Sequence, residues 1–184
     1  MQGATDGRDR QRRAIASLCL AVEKLIAGAC AIACALALTV MAVGIVAEIV
    51  ARNVFDYSFL SVDEVSGYLL VAVIFLGLAV AVHDNALFRV EILTERLSAS
   101  KARMLDWLLS LVFIGFVLVL DYQCFQLAMD SLNGSYSAPT LLGTPLYIPQ
   151  LLMPIGLSAT ALILVLRVVR LSIARSDPQP EVGR

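Results

Sequence analysis

Four long apolar segments constrain the fold of this 184-residue chain more than any other feature. They run from about residue 25 to 47, 65 to 82, 104 to 120 and 151 to 166. About 20 apolar residues in a helix are needed to cross the ~30 Å hydrocarbon core of a bilayer. The segments therefore predict an all-α integral membrane protein with four transmembrane helices, and they disfavour a soluble enzyme or a disordered chain.

Composition supports the same conclusion. Hydrophobic residues make up 59% of the chain and charged residues 16%, whereas a globular domain is about 25% charged. The formal net charge of −1 disfavours a surface for binding nucleic acid.

The first apolar segment follows basic residues, as the core of a signal peptide does. It is longer than the roughly 7–15 residues of such a core, and no clean cleavage context follows it. We therefore interpret it as a retained transmembrane helix, and we expect this helix to begin near Ile15.

Basic residues predict the orientation, because Lys and Arg concentrate in cytoplasmic segments. The loop after the first span has only Arg52, and the loop after the third span has none. Both termini are therefore predicted to be cytoplasmic. The other basic residues are Arg8, Arg10, Arg12, Arg13, Lys24, Arg89, Arg96, Lys101, Arg103, Arg167, Arg170, Arg175 and Arg184.

The chain divides into a cytoplasmic tail at 1–14, a membrane domain at 15–175 and a second tail at 176–184. Between the second and third spans, Val90, Leu93 and Leu97 recur at helical spacing, and Glu91 and Glu95 occupy much of the opposite side. This pattern predicts a short amphipathic helix at the cytoplasmic interface, and a helical turn docked on neighbouring helices is an equal alternative.

Acidic residues near the spans have structural explanations. Glu48 and Arg52 are four residues apart and can pair on one helix face. Asp63 and Glu64 lie at the start of the second helix, where Ser61 and Glu64 have the spacing of a capping box.

We place Asp121 at the outer end of the third span. Helical character is expected to continue through 122–132. By this interpretation no charge lies at the bilayer midplane, where a coupling-ion or substrate carboxylate is expected.

Side chains for cofactor chemistry are few. His83 is the one histidine. The sequence therefore disfavours a bis-histidine haem site and a multi-histidine zinc site, which need two or more histidines, and a His-containing catalytic triad. Cys30 and Cys34 lie on one helix face and are interpreted as packing residues. We therefore expect no catalytic, metal or cofactor site in this chain.

The loop before the last span begins with Asn133 and Gly134 and is rich in proline. It is predicted to turn and then approach the last span in extended form. Within that span, Pro154 falls in the first turns, and Gly156 allows another backbone to approach closely.

Three stretches resemble the small membrane subunit (DctQ-like) of tripartite ATP-independent periplasmic (TRAP) transporters. The first joins residues 52–55 to Asp63 and Glu64, and the second joins 75–79 to 89–93. The third is 145–156. The candidate partner-contact or structural residues within or beside these stretches are Arg52, Asp63, Glu64, Gly77, Arg89, Glu91, Pro145, Tyr147, Pro154 and Gly156.

The resemblance implies a scaffold subunit in the bacterial inner membrane. Its partners would be a large membrane subunit (DctM-like), which carries the sodium and solute sites, and a periplasmic solute-binding protein (DctP-like) that delivers an organic acid. The lipid bilayer surrounds the chain, and nucleic acid is not a partner.

Two alternatives remain open at this point. A stand-alone four-helix efflux protein of the small multidrug type requires a deep acidic residue, for which Glu48 is the candidate. A membrane enzyme or electron carrier would show a haem absorption band after purification.

Overall fold

The computed structural model describes residues 3–58, 61–84, 99–140 and 143–175. Four helices account for almost all of these residues: α1 (Gly3–Phe55), α2 (Ser61–His83), α3 (Ala99–Asn133) and α4 (Tyr147–Arg175). Each predicted span lies inside one helix, and all four helices are long and apolar enough to cross a membrane. The all-helical fold with four membrane-length helices is therefore confirmed.

The described residues do not test two parts of the predicted architecture, the amphipathic helix and the orientation of the termini. The amphipathic helix, with Arg89 and Glu91, lies outside the described residues. The cytoplasmic placement of both termini stays a prediction. For reference we name the end of the bundle that carries Phe55 and Ser61 the outer end, and the opposite end the inner end.

The first helix is longer than expected. It begins at Gly3 rather than near Ile15, since no proline between these two positions interrupts the helix. Its 53 residues measure about 80 Å at about 1.5 Å per residue. That length exceeds the ~30 Å hydrocarbon core, so much of α1 extends beyond any single crossing.

α1 and α3 end in the same way. Asp56 (φ 49°) and Ser135 (φ 50°) adopt the left-handed conformation, which terminates helices and leaves the last carbonyls to be bonded from beyond the end. The amide of Tyr57 accordingly donates to the carbonyl of Ala51 (3.3 Å), and that of Tyr136 to Ser131 (3.1 Å).

The α3–α4 loop folds back on itself. The amide of Ala138 donates to the carbonyl of Thr144 (2.9 Å), and that of Leu146 to Tyr136 (3.0 Å). Gly143, at φ 57°, adopts the left-handed conformation that glycine tolerates best. The turn predicted at the start of the loop is confirmed. Pro145, just before α4, forms an antiparallel bridge with Ser137, and the extended approach to α4 stays a prediction.

α4 lies at the centre of the packing, in contact with α3, α2 and α1, and α1 packs mainly on α2. In the most apolar 18-residue stretch of α4, 39% of the residues are buried, whereas in the corresponding stretch of α1 only 6% are buried. Helix α1 therefore presents most of its surface to its surroundings. The buried core consists of Ala27, Cys30, Ala79, Val82, Val117, Leu157, Ala161, Ile163 and Leu164.

Candidate functional site

A polar cluster joins α1 to the start of α2 at the outer end. Glu48 is buried, and one of its carboxylate oxygens accepts hydrogen bonds from Arg52 Nε (2.7 Å) and from the hydroxyl of Ser58 (2.7 Å). The Arg52 guanidinium also approaches Asp63 to 4.0 Å. The predicted pair on α1 is present, and Arg52 extends it to α2.

Glu64 has different neighbours from Asp63. The hydroxyl of Tyr68, one turn further along α2, donates to the Glu64 carboxylate. The side chains of Thr140 and Thr144 also lie within hydrogen-bonding reach. Glu64 therefore links α2 to the α3–α4 loop, and its role in a capping box with Ser61 stays a prediction.

Gly156 provides the close helix contact that the sequence predicts. A Cβ placed on Gly156 would lie 2.5 Å from the backbone carbonyl carbon of Phe75, a distance that real side chains do not tolerate. The α2 and α4 backbones therefore touch at this position. Gly77 has more room, since the sulfur of Cys34 is 4.0 Å from its Cβ position.

The three remaining described candidates lie around the start of α4. Pro145 pairs with Ser137 in the folded loop, and its carbonyl accepts the amide of Ile148 (3.2 Å). Tyr147 is the first residue of α4, and Pro154 lies inside the helix without ending it. No described contact brings these residues to the Arg52 cluster.

Asp121 is partly buried and lies near the middle of the bundle along its long axis. The hydroxyl of Ser158 on α4 donates to one Asp121 oxygen (2.9 Å). Ser158 lies only two residues beyond Gly156, which touches Phe75 of α2. Asp121, Ser158 and Phe75 are therefore at nearly the same height along the bundle.

Contacts of α1 place that level relative to the membrane. The sulfur of Cys34 donates a weak hydrogen bond to the carbonyl of Val73 (3.8 Å), one helix turn from Gly77. Cys34 lies near the middle of the predicted span at 25–47. Val73 is only two residues from Phe75, which is level with Asp121. These contacts therefore place Asp121 near the middle of the membrane-spanning part of the bundle.

The sequence-based placement of Asp121 at the outer end of a span is therefore wrong, as is the expectation that no charge lies near the midplane. The apolar run ends at residue 120, but helix α3 continues to Asn133. The end of the run is consequently the middle of the helix.

A second polar cluster, missed in the sequence, joins three helices at the inner end. Glu23 of α1 is buried, and its carboxylate lies 3.3 Å from Nδ1 of His83 and 3.5 Å from a guanidinium nitrogen of Arg170. The available signal was positional: each of these residues lies just beyond the inner end of its predicted span, so packing of α1 antiparallel to α2 and α4 brings them together.

Length, hydropathy and packing define a multi-pass membrane protein, with four membrane-length helices in the described part of the chain. A family model described as "Tripartite ATP-independent periplasmic transporters, DctQ component" matches residues 41–173, well over half of the chain. The chain belongs to this family and is a TRAP transporter component. Comparisons with curated proteins and with solved structures gave no match.

Proposed function

We propose that this chain is the non-catalytic scaffold subunit of a sodium-coupled TRAP transporter that imports an organic acid. Its partners are a large membrane subunit, which holds the sodium and solute sites, and a periplasmic solute-binding protein. The complex lies in the bacterial inner membrane, with both termini of this chain in the cytoplasm. The family match over residues 41–173 carries the proposal.

Side-chain geometry supports a bracing role. The Glu48 and Glu23 carboxylates each engage side chains of the same chain and tie helices or loops together. Asp121 likewise joins α3 to α4 through Ser158. Ion pairs and hydrogen bonds of this kind hold a bundle in one arrangement, which a static support for a moving partner requires.

Arg52 and Asp63 are proposed to lie on the periplasmic side, near the docking position of the solute-binding protein. Their side chains are 52% and 83% exposed, so both are available to a soluble partner. Gly77, Pro145, Tyr147, Pro154 and Gly156 are proposed as structural positions that set how the helices of this subunit pack.

Uptake in proteoliposomes tests the proposal. The large subunit is reconstituted with and without this chain, and the solute-binding protein is supplied with the radiolabelled organic acid that most raises its melting temperature. An inward sodium gradient is expected to drive uptake only when both membrane subunits are present. Normal uptake by the large subunit alone would contradict a required scaffold.

The family match does not support the efflux alternative, although Asp121 supplies a deeper acidic residue than Glu48. Expression of this chain alone in a drug-sensitive strain gives a direct check. We expect no drug resistance, and therefore no difference between the wild type, Glu48→Gln and Asp121→Asn. Resistance that is lost in either variant would favour efflux.

A further inference from the structure

Helix α3 carries exposed polar side chains on the face that points away from the rest of the bundle. We name Gln123, Gln126 and Asp130 the α3 outer stripe; all three are exposed. Spacings of three and four residues place them on one helix face. The opposite face is buried, with Val117 and Ala128 each 1% exposed, so the stripe lies outside the four-helix packing.

The depth of the stripe follows from the level of Asp121. At about 1.5 Å per residue, Gln123 lies about 3 Å from Asp121 toward the outer end, Gln126 about 7.5 Å and Asp130 about 14 Å. Half of the hydrocarbon core is about 15 Å thick. The two amides are therefore at hydrocarbon depth, and the carboxylate is near its outer boundary.

Lipid tails cannot satisfy these groups, because they offer no hydrogen-bond donor or acceptor. Gln126 uses one amide hydrogen to reach the hydroxyl of Tyr122 (2.6 Å), which is itself 60% exposed. Among the described residues, the Gln123 side chain has no hydrogen-bond partner. Polar side chains in such positions normally pair across helix interfaces.

The exposed surface of α1 differs in chemistry. It carries large apolar side chains at hydrocarbon depth, such as Ile32 (64% exposed) and Leu36 (61%). The exposed hydroxyl of Thr39 is satisfied within the helix, by the carbonyl of Ala35 at 2.8 Å. This part of α1 is compatible with lipid, whereas the α3 outer stripe is not.

We infer that the α3 outer stripe is the contact face for a polar transmembrane helix of the large TRAP subunit. That helix supplies hydroxyl or amide groups opposite Gln123 and Gln126, and a hydrogen-bond donor near Asp130. The inference rests on the proposed function, since membership of a tripartite transporter family implies such a partner. It goes further by assigning the interface to one face of one helix.

Photocrosslinking in the intact complex tests the inference. The photoreactive residue p-benzoylphenylalanine replaces Gln123 or, as a matched control, Ile32 of α1, and each variant is coexpressed with the large subunit. Irradiation is expected to give an adduct with the large subunit at position 123 and several-fold less at position 32. Equal yields at the two positions, or no adduct at 123, would overturn the assignment.

The mass of the adduct separates the possible occupants. A band at twice the 19.8 kDa of this chain would identify a second copy as the occupant and overturn the inference. Copurification of the unmodified chain with the large subunit tests the proposed function separately. If copurification succeeds and crosslinking at 123 fails, only the interface assignment is wrong.

Substitution gives a second, independent measurement. Gln123→Leu combined with Gln126→Leu removes the hydrogen-bonding groups and keeps side chains that lipid accepts, so folding of this chain is expected to be preserved. Recovery of the large subunit in pull-down at limiting concentration is expected to fall about tenfold, as the loss of two interhelical hydrogen bonds implies. Thr39→Val, the control on α1, is expected to leave recovery unchanged; unchanged recovery in the double variant would contradict the inference.

Discussion

Gly156 is the residue at which two helices of the bundle come closest. Because a Cβ there would meet the backbone of Phe75 rather than a movable side chain, the helices must separate to accept it. We expect Gly156→Ala to destabilise the protein by about 1–3 kcal/mol through overpacking. Thermal unfolding of the purified protein in detergent measures this loss.

Gly28→Ala is the matched control for that experiment. Gly28 is also helical, but nothing lies within 4 Å of its Cβ position. Alanine is a better helix former than glycine, so the melting temperature is expected to stay constant or rise slightly. Equal losses in both variants would show that helix α4 does not contact α2 as described.

Ser158 is the residue that links the Asp121 carboxylate of α3 to helix α4. Its hydroxyl makes the hydrogen bond that joins this carboxylate to α4. Ser158→Ala is expected to reduce stability by about 1 kcal/mol, measured as a lower melting temperature. Ser17→Ala removes an exposed hydroxyl that bonds only the carbonyl of Ala14 in its own helix, and it is expected to have no comparable effect.

At the scale of the helices, the sequence predicts which segments are helical better than which face of each helix is covered. Alanines at four-residue spacing along α1 predict two close-packing ridges, one with Ala27, Ala31 and Ala35 and the other with Ala29, Ala33 and Ala37. In the structure only Ala27 of the first ridge and Ala37 of the second are buried. The buried face of α1 instead includes Cys30 and Glu23, because the neighbouring helices, and not the spacing, select which side is covered.

The Glu23 carboxylate of α1 connects three helices, because it lies beside His83 of α2 and Arg170 of α4. Removing its carboxylate leaves Arg170 and His83 without this acidic neighbour at the inner end, so we expect α1 to detach there from α2 and α4. Cys19, one turn away and buried, should then become accessible. Maleimide labelling of Cys19, in a background without the other three cysteines, is expected to be about tenfold faster in Glu23→Ala, as about 1.4 kcal/mol of lost local stability implies.

Lys24→Ala is the control for this labelling, because Lys24 is adjacent in sequence but exposed. It should leave the rate at Cys19 unchanged. If Glu23→Ala also has no effect, the inner cluster does not hold α1 in place.

For the whole molecule, the distribution of basic residues predicts the orientation in the membrane. Asn133 at the outer end of α3 is expected to face the periplasm, and the tail at 176–184 the cytoplasm. In a cysteine-free background, Asn133→Cys should react with an impermeant thiol reagent in intact spheroplasts, and Ser176→Cys only after lysis. The reverse pattern would invert the molecule and remove the proposed periplasmic role of Arg52 and Asp63.

The amino-acid sequence by itself determined the four membrane helices, because apolar length is a local property that a bilayer selects directly. It also determined the Glu48–Arg52 pair and the close contact at Gly156, which depend on helical spacing and on the absence of a side chain. Only the tertiary structure decided the mid-depth position of Asp121 and the meeting of Glu23 with His83 and Arg170. Depth and long-range pairing depend on how helices are offset against one another, and that offset is set by the packing of all four together.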